Sequence, residues 1–205
     1  MMGTFSILAL SKDRRVMGVA VASGSTAVGS RVPHAMPGVG VIATQAYTNV
    51  AYGTEGLKLL AKGFPPGSVL EKLMAEDPQK EARQIAIMDF TGRKAVYTGA
   101  HAPKWCGEIV GEDYVVVGNL LRNLRVLESM AVRFENTEGT FALRLLEALK
   151  AGSKSGGDKR GEKSAAIIVV DKANVLLNLR VDESQNPVQK LLASALYTTN
   201  LENEL

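Results

Sequence analysis

The sequence predicts an α+β fold in which two antiparallel sheets stack face to face between outer layers of helices, a four-layer αββα sandwich. Strand-like runs come in pairs joined by tight turns, and segments with helical periodicity stand between the groups of strands. Runs such as Gly18–Ala22 and Ala165–Val170 are apolar on both faces. Such strands need cover on both sides, which stacked sheets with outer helices provide.

The strands follow from runs of β-branched and apolar residues that are bounded by turn residues. Thr4–Leu10 and Val16–Ser23 flank the turn at residues 12–14, so we expect them to be adjacent antiparallel strands. The other predicted strands are Val39–Ala46, Arg83–Phe90, Lys94–Thr98, Glu108–Val110, Tyr114–Val117, Ser164–Val170 and Val175–Val181.

Apolar residues at three- and four-residue spacing predict two helical pairs and a final helix. The first pair has apolar stripes made by Leu57, Leu60 and Ala61 and by Val69, Leu70, Leu73 and Met74. The second pair covers Val126–Phe134 and Phe141–Leu149. Pro187 suits the first turn of a last helix that continues to about Tyr197.

Composition indicates one domain, residues 1–205, because 46% apolar content supports a buried core and no flexible linker divides the chain. The net charge is only +3, and basic residues alternate with acidic ones, which argues against a nucleic-acid partner. No apolar run approaches the ~20 residues of a membrane span, and the apolar start lacks the basic region of a secretion signal. We therefore expect a cytoplasmic protein that binds neither nucleic acid nor a membrane.

The residue pattern indicates neither a metal ion nor an organic cofactor. His34 and His101 lack metal-ligand spacing, and the single cysteine, Cys106, excludes an internal disulfide. The glycine-rich loop Gly156–Gly161 leads into a strand, so it lacks the helix N-terminus of a phosphate-binding loop. We therefore predict no cofactor, and we expect Trp105 and Cys106 to pack in the core.

The dipeptide Gly3-Thr4 bears most directly on function. If its peptide bond were cut, Thr4 would carry a nucleophilic hydroxyl and its own α-amine, which titrates near pH ~8 and can accept the hydroxyl proton. Met1, Met2 and Gly3 precede Thr4, so this chemistry requires self-cleavage. The alternative is that Thr4 is an ordinary β-branched residue at the start of an edge strand.

Four further residues carry groups that amide hydrolysis at Thr4 would use. Asn119 follows a predicted strand and could donate to an oxyanion, form a turn or cap a helix. Asp158 and Arg160, in the glycine-rich loop, could bind substrate or order the Thr4 amine, unless the loop is a solvated turn. Arg31 could pair with a substrate carboxylate or form a surface salt bridge.

Gln45 and Asn49 belong to an unusually polar end of an apolar strand, together with Thr44, Tyr47 and Thr48. Buried amides and hydroxyls cost free energy unless they are hydrogen-bonded. This segment is therefore either the wall of a substrate pocket, which we expect, or a structural network at the end of the sheet.

Several separate blocks, in order along nearly the whole chain, resemble domain-of-unknown-function family 1028: Thr4–Ile7, Gly18–Ser23, Gly38–Asn49, Tyr52-Gly53, Gly118-Asn119, Gly156–Gly161 and Ser164–Ala166. The resemblance implies a branch of the N-terminal-nucleophile hydrolase fold, the group that includes proteasome β-subunits and several amidohydrolases. It implies no substrate, because fold alone does not assign chemistry.

Two hypotheses of function follow. The first is an N-terminal-nucleophile amidohydrolase for a small amide or peptide-like substrate, with catalytic Thr4, Asn119 and Asp158 and substrate-binding Arg31, Gln45, Asn49 and Arg160. The second is a non-enzymatic protein of the same fold that binds a small polar ligand. In both we expect a homo-oligomer.

Overall fold

The computed structural model describes residues 3–202. Within that range no helix is long and apolar enough to cross a membrane. The strands are β1 Thr4–Leu10, β2 Met17–Ser23, β3 Pro33–Met36, β4 Gly40–Ala46, β5 Arg83–Asp89, β6 Lys94–Thr98, β7 Gly107–Val110, β8 Tyr114–Asn119, β9 Ser164–Val170 and β10 Val175–Val181. The α-helices are α1 Val50–Ala61, α2 Pro66–Ala75, α3 Arg125–Asn136, α4 Phe141–Lys154 and α5 Pro187–Glu202, and short 3-10 helices cover Val28–Ser30 and Lys80–Ala82.

The strands form two antiparallel sheets, as the sequence predicts. One has six strands in the order β10-β9-β2-β1-β8-β7, and the other has four in the order β3-β4-β5-β6. The predicted first hairpin is confirmed, since β1 pairs with β2 from Thr4 opposite Ser23 to Leu10 opposite Met17. β1 also pairs with β8, so it is a central strand and not the edge strand that the alternative interpretation of Thr4 assumed.

The side chains pack in three hydrophobic layers, because alternation along each strand sends neighbouring residues to opposite faces. On β1, Leu8 packs between the two sheets, while Phe5 and Ile7 pack with α3, α4 and α5. On β4, Val41 packs between the sheets, while Ile42 packs with α1 and α2. The layer order of helix, sheet, sheet and helix confirms the four-layer αββα sandwich.

Two local features differ from the sequence-based expectation. Pro33–Met36 forms an unpredicted strand at the edge of the four-stranded sheet. A strand that begins with proline is easily missed, since proline cannot donate to a ladder and is confined to edges and strand starts. The expectation that Trp105 packs in the core is wrong, because this residue is 57% exposed in the loop between β6 and β7.

We expect Phe134→Ala to lower the free energy of unfolding by about 3–5 kcal/mol, because it empties a buried site between α3 and the six-stranded sheet. Phe134 is 2% exposed and its ring lies 5.4 Å from that of Tyr114. Val132→Ala, on the same helix at a side chain that is 59% exposed, is the control and should change stability by no more than ~0.5 kcal/mol. Urea denaturation measures the free energy of unfolding of both variants. Equal losses would contradict the assignment of the Phe134 face of α3 to the core.

Candidate functional site

A polar cluster closes one end of the space between the two sheets. Thr4 on β1 stands opposite Ser23 on β2 and opposite Asn119 on β8. Alternation from the buried apolar residues of these strands places all three side chains on the face that meets the four-stranded sheet. The buried polar residues of this cluster are Thr4, Ser6, Ser23, Gln45, Gln84 and Asn119.

Hydrogen-bond donors converge on the carbonyl oxygen of the Gly3–Thr4 peptide bond. The Thr4 hydroxyl donates to this oxygen at 2.6 Å, the Ser23 hydroxyl donates at 2.5 Å and Arg160 Nη2 donates at 3.2 Å. The Thr4 and Ser23 hydroxyl oxygens lie 3.3 Å apart. Such donors polarise the carbonyl and would stabilise a negative charge on its oxygen.

Asp158 fixes the position of Arg160. Its carboxylate is fully buried and forms a short ion pair with Arg160, 2.7 Å from Oδ2 to Nη2. The same carboxylate accepts the backbone N–H of Gly24 at 2.7 Å and the Arg160 Nε–H at 3.0 Å. Glu162 accepts the Asp158 N–H at 3.0 Å, and burial raises the pKa of the Glu162 carboxyl. The loop predicted as a site or a solvated turn is therefore an ordered, hydrogen-bonded element.

A side chain at position 3 would not fit beside Asp158 and Leu120. A Cβ on Gly3 would lie 2.6 Å from Asp158 Oδ2 and 2.8 Å from the Leu120 Cβ. A Cβ on Gly24 would lie 2.7 Å from the Gly161 carbonyl oxygen. The glycine before Thr4 therefore has a packing reason that is independent of any chemistry at the bond.

Arg31 approaches the cluster from the segment after β2. Ser25 connects Arg31 to Ser23. The Ser25 hydroxyl lies 2.8 Å from the Ser23 hydroxyl and accepts a hydrogen bond from Arg31 Nη2. Burial lowers the pKa of Arg31, and the charge of Arg160 lowers it further. Arg31 is thus connected to Thr4 through two serine hydroxyls, and Arg160 is connected to it through the Gly3 carbonyl.

Side-chain amides from both sheets complete the cluster, Gln45 and Gln84 from the four-stranded sheet and Asn119 from the six-stranded sheet. Gln84 Oε1 accepts from Gln45 Nε2 at 2.7 Å and from Asn119 Nδ2 at 3.0 Å. Gln45 Oε1 accepts the Ser6 hydroxyl at 2.6 Å, and Gln45 Nε2 donates to the Thr4 carbonyl at 3.4 Å. These bonds join the two sheets directly beside Thr4.

The structure brings six of the seven predicted site residues into this one network: Thr4, Arg31, Gln45, Asn119, Asp158 and Arg160. Asn49 is the exception. Its Oδ1 caps α1 by accepting the N–H of Ala51 at 3.1 Å, and it lines a separate cavity of about 290 Å³ with Tyr52 and Asp77. Asn49 therefore has a structural role at the start of α1, and its part in binding a substrate stays a prediction.

Sequence reasoning missed Ser23 and Gln84. A signal for Ser23 was present, since the predicted hairpin ends on Thr4 and Ser23 and would pair them across the strands. Asn119, predicted to follow its strand, is the last residue of β8 and pairs with Thr4 there.

Thr4 is shielded from solvent. Thr4 is 2% exposed, although Arg160 also lines a cavity of about 540 Å³ with Gly161, Glu162, Lys163, Glu183, Ser184 and Gln185. Among residues 3–202, no group of three or more His, Cys, Asp or Glu side chains is placed to hold a metal ion. Burial raises the pKa of the Cys106 thiol, which makes it a poor nucleophile.

Known proteins resemble this chain over nearly its whole length. The model of a family of unknown function, DUF1028, matches residues 4–191. A crystal structure of a DUF1028 protein from Silicibacter pomeroyi has 32% identity and a TM-score of 0.88, and the match covers 96% of this chain and 85% of that one. A structure of Anbu, an ancestral beta-subunit from Yersinia bercovieri, has 12% identity and a TM-score of 0.45 over 98% of this chain and 97% of that one. No curated protein matches the chain.

Gly3→Ala should lower the free energy of unfolding by about 1–3 kcal/mol, because the new methyl group overlaps the pinned Asp158 carboxylate and the Leu120 Cβ. Gly67→Ala is the matched control, since a Cβ at that helical position meets nothing within 4 Å. The control should be neutral or stabilising, as alanine favours a helix over glycine. Thermal or urea unfolding of the two variants decides, and a neutral Gly3→Ala would contradict the close packing at Gly3.

Proposed function

Since the chain belongs to the DUF1028 family, whose function is unknown, we propose that it is an amide hydrolase whose nucleophile, Thr4, is freed by cleavage of its own Gly3–Thr4 bond. One observation carries the proposal. The Thr4 hydroxyl lies beside a carbonyl oxygen that also accepts hydrogen bonds from Ser23 and Arg160.

The self-cleavage step uses these groups directly. Thr4 Oγ1 attacks the carbonyl carbon of Gly3, and Ser23 and Arg160 stabilise the negative charge that develops on the carbonyl oxygen. The C–N bond then breaks, the hydroxyl proton ends on the Thr4 nitrogen, and Gly3 is held as an ester on Thr4 Oγ1. Water hydrolyses the ester, releases the segment that ends in Gly3 and leaves Thr4 with a free hydroxyl and α-amine.

The same groups then serve hydrolysis of a second amide. The released α-amine acts as the base for the Thr4 hydroxyl, a role that typically contributes ~10²–10⁴-fold. The donors that held the Gly3 oxygen lose their partner and become available to the carbonyl oxygen of a substrate. Asp158 keeps Arg160 in place, and Gln45 and Asn119 form the wall against which a small amide or peptide-like substrate would lie.

The burial of Thr4 favours one alternative, an uncleaved homo-oligomer that binds a small ligand without chemistry. An unprocessed Thr4 has its nitrogen in a peptide bond and cannot use it as a base. The homo-oligomeric state and the cytoplasmic location stay predictions under both functions.

We expect the intact mass of the wild-type protein to fall by residues 1–3 during incubation, whereas Thr4→Ala stays uncut because it lacks the attacking oxygen. Thr4→Ser should keep part of the cleavage. Ser23→Ala should slow it by about 10²–10³-fold, the usual effect of removing one oxyanion donor. Ser194→Ala, at an exposed hydroxyl on α5, is the matched control and should cleave at the wild-type rate.

Mass spectrometry over a time course measures these rates, and amine release from small amides measures the second activity. Hydrolysis that persists fully in Thr4→Ala would exclude Thr4 as the nucleophile. An unchanged wild-type mass together with thermal stabilisation by a small ligand would support the alternative.

A further inference from the structure

We infer that the substrate amide carries a carboxylate and that Arg31 binds it. The inference rests on the proposed function, because it names the substrate class of the same site. It begins from the unusual state of the Arg31 side chain.

Arg31 is a partly buried cation with neutral partners. Its Nη1 donates to the carbonyl oxygens of Thr26 and Ala27 at 2.7 and 3.1 Å, and its Nη2 donates to the Ser25 hydroxyl. Within the described chain no carboxylate lies in ion-pair distance of Arg31, and its buried Nε has no hydrogen-bond acceptor. By contrast, Arg83, which is also half-buried, pairs with Asp77 at 2.9 Å.

Neither of the carboxylates in the loop beside Thr4 pairs with Arg31. Arg160 acts electrostatically on Arg31, so the two guanidiniums share one neighbourhood. Asp158 is bound to Arg160, and Glu162 accepts hydrogen bonds from the Asp158 N–H and from the Ser153 hydroxyl. A desolvated charge without a counter-ion is costly, and an anionic ligand would remove that cost.

Arg31 lies close enough to Thr4 for one small substrate to reach both side chains. A chain of hydroxyls, Ser25 and Ser23, connects its guanidinium to the Thr4 hydroxyl. A carboxylate held near Arg31 would therefore leave an amide a few bonds away within reach of Thr4. The Arg160 side chain is 33% exposed and borders the neighbouring cavity, which also offers Lys163, so an anion in that cavity would meet Arg160.

The test compares two matched amides, N-acetylglycine and N-acetylethanolamine, which differ in having a carboxylate or a neutral hydroxymethyl group. In the processed wild-type protein we expect kcat/KM for release of the amine to be about 10–100-fold higher for N-acetylglycine, the range of a charge-assisted hydrogen bond. Arg31→Gln should bring this ratio close to one, and Arg31→Lys should keep part of it because the charge remains. Arg15→Gln, at an exposed arginine in the β1–β2 turn, should leave the ratio unchanged.

A second readout, thermal stabilisation by N-acetylglycine, is measured on wild-type protein and on the folded Arg31→Gln and Arg31→Lys variants. Equal hydrolysis of both amides would overturn the inference while leaving the hydrolase intact. If neither hydrolysis nor self-cleavage occurs but N-acetylglycine stabilises the protein in a way that depends on Arg31, the hydrolase proposal fails and the carboxylate site is supported. Absence of both hydrolysis and Arg31-dependent stabilisation would overturn the inference.

Discussion

The arrangement around Thr4 depends on one buried carboxylate, that of Asp158. A carboxylate taken out of water costs several kcal/mol unless hydrogen bonds and an opposite charge compensate it. Here the backbone N–H of Gly24 and the guanidinium of Arg160 provide both. Since Gly24 follows β2 and Arg160 reaches the Gly3 carbonyl, this one group ties the start of β1 to the end of β2 and to the loop before β9.

The residues that fill the space between the sheets change from apolar to polar along its length. Its middle is filled by aliphatic side chains such as Leu8 and Val41, whereas its end beside Thr4 is built from amides and hydroxyls. Gln84 illustrates why that end is stiff, because its amide nitrogen donates to the carbonyls of Gly107 and Gly118 while its oxygen accepts from two neighbours. Rotation of any of these amides would break several hydrogen bonds, so the groups around Thr4 are held in one geometry, as the proposed acyl transfer would require.

Local sequence signals predicted most of the fold. Hairpins, amphipathic helices and doubly apolar strands depend on residues that are close in the chain, and all appear in the structure, with boundary shifts of a residue or a few. The position of Ser23 and Gln84 beside Thr4 depends on strand register and on the stacking of the sheets, which the pattern of one strand does not contain. Asn49 lies apart from the network around Thr4, although it is close to Gln45 in sequence. The backbone turns at Ala46, which has a φ of 64°, and Asn49 begins a helix instead.

The hydrogen bonds at Gly3 and Gly24 determine when during synthesis the site around Thr4 can form. Gly3 and Gly24 meet Arg160 and Asp158, partners that are 157 and 134 positions further along the chain. During synthesis the N-terminal end emerges first, and these partners emerge only when most of the protein has been made. In the proposed reaction, the Gly3–Thr4 bond is therefore cut only after the tertiary structure has formed. A nascent chain would keep its nucleophile blocked until the sandwich has closed around it.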